Sequence, residues 1–126
     1  MKSLLRCSCL FVILPIALLA NASTVEFSNL ITSPHRYNCQ RISLVGFAHV
    51  SGESFVLYQN DKEAAKLSTS RAVSIAQKRR GPNHNRVNDR WVTVTGIVDA
   101  NSHGLWNFPC EILLENVELI DRPSKK

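Results

Sequence analysis

Alternation is clearest between Trp91 and Val98. Val92, Val94 and Val98 fall on one face and Thr93 and Thr95 on the other, the period-two pattern of a half-buried strand. Four further runs read as strands: Ile42–Val50, Phe55–Tyr58, the weaker Ala72–Ala76, and Glu111–Ile120. In the last of these the alternation slips near Glu115 and Asn116, which predicts a bulge. Gly46 and Gly96 stand inside the first and fourth runs, where a strand bends or another backbone comes close. Ser51-Gly52-Glu53 reads as a three-residue hairpin turn between the first two runs.

Helical spacing is confined to short pieces. Phe27, Leu30 and Ile31 share a helical face, and Pro34 ends that turn. Asn60, followed three residues later by Glu63, has the spacing of a helix N-cap. The helix it starts is expected to run through Leu67 until Ser68-Thr69-Ser70 stops it. Five short strands, two of them with internal glycines, predict an all-β domain with one or two short helices. The expected architecture is a small five-stranded OB-like Greek-key barrel, because closing so narrow a barrel requires sharply coiled strands. A small β-sandwich is the alternative.

Two stretches carry a resemblance. Ser28-x-Leu30-Ile31-x-x-Pro34-x-x-Tyr37 leads into Arg41-Ile42-x-Leu44-x-Gly46-Phe47, and Trp91-Val92-Thr93-Val94-x-Gly96-x-Val98-Asp99-Ala100 leads into His103-Gly104. Together they resemble a group of small secreted bacterial OB-fold-like proteins, most of them uncharacterised, over about residues 27–121. The resemblance implies the fold and secretion, and it brings no catalytic residue. Cys39 stands where that group's pattern has a glycine, and Trp106-Asn107-Phe108-Pro109-Cys110 replaces its Gly-rich stretch before the last strand.

The longest apolar run belongs to no strand. Leu10–Ala20 reads LFVILPIALLA, preceded by Lys2 and Arg6 and followed by Ala20-Asn21-Ala22. A basic start, a short apolar run and an A-x-A end describe a secretory signal peptide, expected to be cut after Ala22. The run falls short of the roughly 20 apolar residues of a membrane span, so no membrane span is expected. Residues 23–126, 104 in all, form a single expected domain, periplasmic or secreted. Its two cysteines, Cys39 and Cys110, are expected to pair in an oxidising compartment. The 71 positions between them would make that bond worth about 4 kcal/mol on the chain-entropy argument. Neither cysteine directly follows the apolar run, so a lipid anchor is not expected.

Charge is unevenly placed. Residues 78–90 hold five basic side chains and one acidic, a net +4, whereas the rest of the expected mature chain holds 8 basic and 9 acidic. Basic character therefore belongs to one loop, between the third and fourth strands. Lys78, Arg79, Arg80, Arg86 and Arg90 form a candidate polyanion site for nucleic acid, an acidic glycan or a phosphate. Tyr58, Trp91 and Trp106 are candidate stacking rings for such a ligand. The alternative is a solvated connector that only aids solubility. A second candidate surface is the aromatic 101–110 segment, which would suit a protein partner in the cell envelope.

Chemistry beyond binding is poorly provided for. His35, Cys39, His103 and Cys110 match no zinc-knuckle spacing, and no metal or cofactor is expected. No nucleophile elbow or phosphate-cradling Gly-rich loop occurs. Lys78, His84 and His103 are the only acid–base set worth testing for RNA cleavage. Glu111, Glu115 and Glu118 recur along one strand and read as a solvated edge. The expectation is a binding module without catalytic residues.

Overall fold

A computed structural model describes residues 22–52, 54–77 and 84–123. The elements are β1 (Ser23–Thr24), α1 (Phe27–Thr32), β2 (Arg41–Ser51), β3 (Ser54–Tyr58), α2 (Asp61–Ala65), β4 (Ala72–Ala76), β5 (Arg90–Asp99) and β6 (Glu111–Leu119). Short 3-10 turns at Pro34–Tyr37, Thr69–Arg71 and His84–Val87 link them. All five expected strands are present. The sixth, β1, is only two residues long and pairs parallel to β2, Ser23 against Ile42.

The sheet closes on itself. Antiparallel pairing runs from β4 to β3, β3 to β2, β2 to β5 and β5 to β6. A short parallel ladder, Ser74–Ala76 against Glu111–Leu113, joins β4 to β6 and completes an OB-like barrel. The valine faces are the inner ones: Ile42, Leu44, Phe55, Leu57, Val73, Ile75, Val92, Val94, Val98 and Ile112 fill the interior. Phe27 and Leu30 of α1 and Val87 of the third 3-10 turn join the same core, so that helix and that turn are held by burial.

The expected bulge is real. Thr95 opposes Asn116 while Gly96 opposes Leu114, leaving Glu115 as the extra residue. At that point the strands approach so closely that a β-carbon on Gly96 would lie 2.2 Å from the Leu113 carbonyl oxygen. The extra residue turns outward, and Arg41 Nε on β2 donates to Glu115 Oε1 at 2.6 Å.

Helix α2 begins as expected, with Asn60 Oδ1 accepting from the Glu63 amide at 2.9 Å. It ends two residues earlier than its sequence suggests. Leu67 adopts φ 54°, its amide bonds Ala64 O, and the Ser68 amide bonds Glu63 O. These are the two closing bonds of a Schellman C-cap, with leucine in the place glycine usually takes.

The expected Cys39–Cys110 disulfide is not formed: both residues are buried and carry thiols. The strand order gives the reason. The Cys39 amide donates to Val98 O at 2.8 Å, on the β2 side of β5. Cys110 lies on the other side, its carbonyl accepting from Ser74 N of β4. β5 therefore runs between the two positions, and no bond joins them. Cys39 also has φ 67°, the left-handed conformation of the glycine that the resemblance places there.

Candidate functional site

Strand direction sorts the connections into two ends. β2, β4 and β6 run one way and β3 and β5 the other. The turn around residue 52 and the loop 77–89 therefore share one end, and segments 59–71 and 100–110 share the other.

At the first end, the part of the basic loop nearest β5 is firmly seated. Val87 is buried in the core. Asn88 Oδ1 accepts from the Val50 amide at 2.7 Å, and the Asp89 amide donates to Ala48 O at 2.8 Å. Asp89 takes φ 59° to turn the chain into β5, and its carboxylate accepts from His49 Nδ1 at 3.2 Å. Arg86 and Arg90 are exposed on either side of this anchor. Trp91 follows on the outer face, half-buried, its ring edge-on to Phe47 at 5.7 Å and 75°. Lys78, Arg79 and Arg80 lie outside the described residues. Arg86, Arg90 and Trp91 thus lie around one anchored turn, with Arg90 and Trp91 on opposite faces of β5.

Tyr58 does not join them. Its ring points out of the barrel but is only 4% exposed, packed with Val56, Ala72 and Phe108 in a second apolar cluster. Burial also raises its phenol above the usual tyrosine range. Tyr58 is therefore covered by the chain itself and offers no stacking face. Phe108 reaches this cluster because loop 100–110 folds back over the outer side of β3 and β4.

That loop is held from several directions. The Ala100 amide donates to Asn38 Oδ1 at 2.8 Å, and the Asn101 amide to Asp99 Oδ1 at 3.0 Å. The Phe108 amide donates to His103 O, and His103 Nδ1 donates to Phe108 O, both at 2.8 Å. Glu111 accepts from Ser102 Oγ at 2.5 Å and from Ser74 Oγ at 3.0 Å. Glu111 is thus a loop anchor and not the solvated edge its spacing suggests. Its carboxylate, with that of Asp99, adds to burial in pushing the Cys110 thiol up to about 12.

From the tip of this anchored loop Leu105 and Trp106 stand out into solvent, 89% and 64% exposed. Trp106 is accessible as expected, on the loop whose Phe108 covers Tyr58; Tyr58 is in turn paired with Phe47, the neighbour of Trp91. Leu105 was not among the expected site residues. Its signal in the sequence is an apolar Leu-Trp pair inside a stretch, 100–110, with no acidic, lysine or arginine residue. Among the described residues, no group of three or more His, Cys, Asp or Glu side chains is placed to hold a metal ion. None of the described helices is long and apolar enough to cross a membrane.

No protein-family model matches the chain, and no curated protein matches it in sequence. Solved structures share its fold. The telomere capping protein Ten1 from Saccharomyces pombe superposes with a TM-score of 0.51 at 12% identity, over 79% of this chain and 81% of that one. An OBody bound to hen egg-white lysozyme superposes at 0.52 with 15% identity, over 82% of this chain and all of that one. A DUF3299 family protein from Pseudomonas aeruginosa gives 0.50 at 8% identity, over 71% and 66%. These likenesses establish the OB-like fold.

Proposed function

We infer that the chain is an exported binding module without catalytic residues, taking a polyanion at the barrel end that carries the basic loop. The observation that supports this is the placement of Arg86, Arg90 and Trp91. Two exposed arginines flank a base fixed by Val87, Asn88 and Asp89, and the Trp91 ring follows on the outer face of β5. Arginine forks pair with phosphate or sulfate oxygens, and an aromatic ring supports a base or sugar. The sequence adds Lys78, Arg79 and Arg80 to the same loop. The sole acid of residues 78–90, Asp89, is engaged by His49. One fold neighbour is a telomere capping protein, which agrees with a nucleic-acid ligand. The export part of the reading rests on the N-terminal sequence. Cleavage after Ala22 would leave every described strand and helix intact, since β1 begins at Ser23.

Salt-dependent binding of a labelled single-stranded oligonucleotide and of a sulfated glycan tests the reading. Neutralising about four phosphates gives a log–log salt slope of roughly −3 on single strands. Replacing Arg79, Arg80 and Arg86 by Ala should flatten the slope and weaken binding, with folding unchanged. Equal behaviour of wild type and variant would leave the loop a soluble connector.

A second reading is carried by the exposure of Leu105 and Trp106: the 101–110 segment is a contact surface for a cell-envelope partner, and binding there survives added salt. The OBody neighbour, bound to lysozyme, shows an OB-like barrel engaging a protein.

A further inference from the structure

The Leu105–Trp106 tip has a neighbouring segment with the same apolar exposure. Leu67, held at φ 54° at the end of α2, is 61% exposed. It shares the barrel end with the tip, and the two segments meet at the outer cluster, which holds Phe108 and is packed by Ala64 of α2. Around Leu67 the exposed charged side chains are basic: Lys62, Lys66 and Arg71. Lys66 lies 3.8 Å from Glu63 and Arg122 lies 3.7 Å from Asp61, and residues 59–71 hold three basic and two acidic side chains, a net +1. Loop 100–110 contributes neither acid nor base apart from His103. This end is therefore apolar at its most protruding points and cationic around them.

Resting on the second reading, that 101–110 is a contact surface, we propose that its partner is an anionic lipid bilayer, with Leu105 and Trp106 entering the interfacial region while Lys62, Lys66 and Arg71 face the headgroups. Three features select lipid. The apolar side chains project from a turn, a shape that needs a yielding surface more than a matched recess. Tryptophan is the residue that settles at the boundary of headgroup and hydrocarbon, with a ring for one and an N–H for the other. Basic side chains beside the tip draw it to a negative leaflet. Those same charges would repel each other in a symmetric dimer through this end. Because the reciprocal His103–Phe108 bonds and the Glu111 anchor hold the loop, little ordering is required on contact.

The test uses the protein as isolated from cells, with Trp91→Phe introduced so that Trp106 is the remaining tryptophan of residues 23–126. Emission is followed on adding phosphatidylcholine vesicles with or without phosphatidylglycerol. The expected result is a blue shift and protection from iodide quenching with the anionic vesicles, with binding at least about tenfold tighter than to neutral ones. Leu105→Ser should weaken binding by about tenfold, and the pair Lys62→Gln, Lys66→Gln should reduce the preference for anionic lipid. Circular dichroism confirms that each variant is folded. Unchanged emission overturns the proposal, even if the protein sediments with vesicles, since attachment would then run through another part of the chain. A shift indifferent to Leu105→Ser overturns it too. Trp106-dependent retention by an envelope protein, without any vesicle response, rejects lipid while leaving the contact-surface reading standing.

Discussion

Gly96→Ala isolates the close approach at the β5–β6 bulge. Gly96 does not have a positive φ, so alanine meets no backbone penalty of its own there. What it meets is the Leu113 carbonyl oxygen at 2.2 Å and Ile112 Cγ2 at 2.7 Å. A methyl carbon and an oxygen rest more than 3 Å apart, so the strands must part by about an ångström, stretching a ladder that the bulge already interrupts. Overpacking of this kind costs about 1–3 kcal/mol, and an immovable backbone oxygen places it at the upper end. Removing a glycine also stiffens the unfolded chain and returns about 0.4–1 kcal/mol. The net expectation is a loss of about 2–3 kcal/mol, a large share of the roughly 5–15 kcal/mol that holds a small domain. In a thermal melt that lowers Tm by roughly 8–24 °C. Urea denaturation should show a lower midpoint at an unchanged slope. Thr93→Ala, on the outer face of the same strand, serves as the reference and should stay within about 0.5 kcal/mol of wild type. A Gly96→Ala protein as stable as Thr93→Ala would show that the two strands do not come this close, and with it the bulge register would fall.

Other outcomes follow from single contacts. Asn60→Ala removes the bond to the Glu63 amide and should cost about 1 kcal/mol in a urea midpoint; Asn60→Asp should retain most of it. Cys110, pushed up to about 12 by burial and by Asp99 and Glu111, stays a neutral thiol in the folded protein at pH 8 and should resist iodoacetamide until denaturant is added. Denaturation without reductant should then expose both Cys39 and Cys110 to alkylation, read by peptide mass; a bond between them would expose neither. The raised thiol also sets a sign. The unfolded chain releases the proton at lower pH than the folded one, so stability is at its full value below about 9 and declines as pH climbs toward about 12. Melting curves that improve over that range would contradict the burial of Cys110.

The parts of the fold that were legible in the sequence are those decided by neighbours in the chain. Val92, Val94 and Val98 alternate because one face of β5 fills the barrel, and the slip at Glu115 is visible because an extra residue must break the alternation. The Asn60 cap acts over three residues and is equally local. β1 escapes notice since two residues carry no period. Tyr58 was misjudged because its cover, Phe108, arrives fifty positions later, from a loop whose path depends on Ser74, Ser102 and Glu111 meeting. The disulfide failed for a related reason: counting cysteines says nothing of the strand lying between them. Of the candidate site, the sequence located the basic loop and Trp106. It could not say that Phe108 of the loop bearing Trp106 lies over Tyr58, one strand from Phe47 and two from Trp91.

β6 lies late in the chain yet pairs with both β4 and β5, while Arg41 of β2 must find Ile97, 56 positions on. A ribosome adds about 5–20 residues per second. For about 1–4 s of synthesis the valine face of β5 therefore exists without the wall that will cover it. No smaller closed unit can form first, because every route around the ring passes through β6. Pairing over such separations is also slow once the chain is complete. The barrel is thus a structure whose closure waits for its last strand, since β6 alone joins β4 to β5.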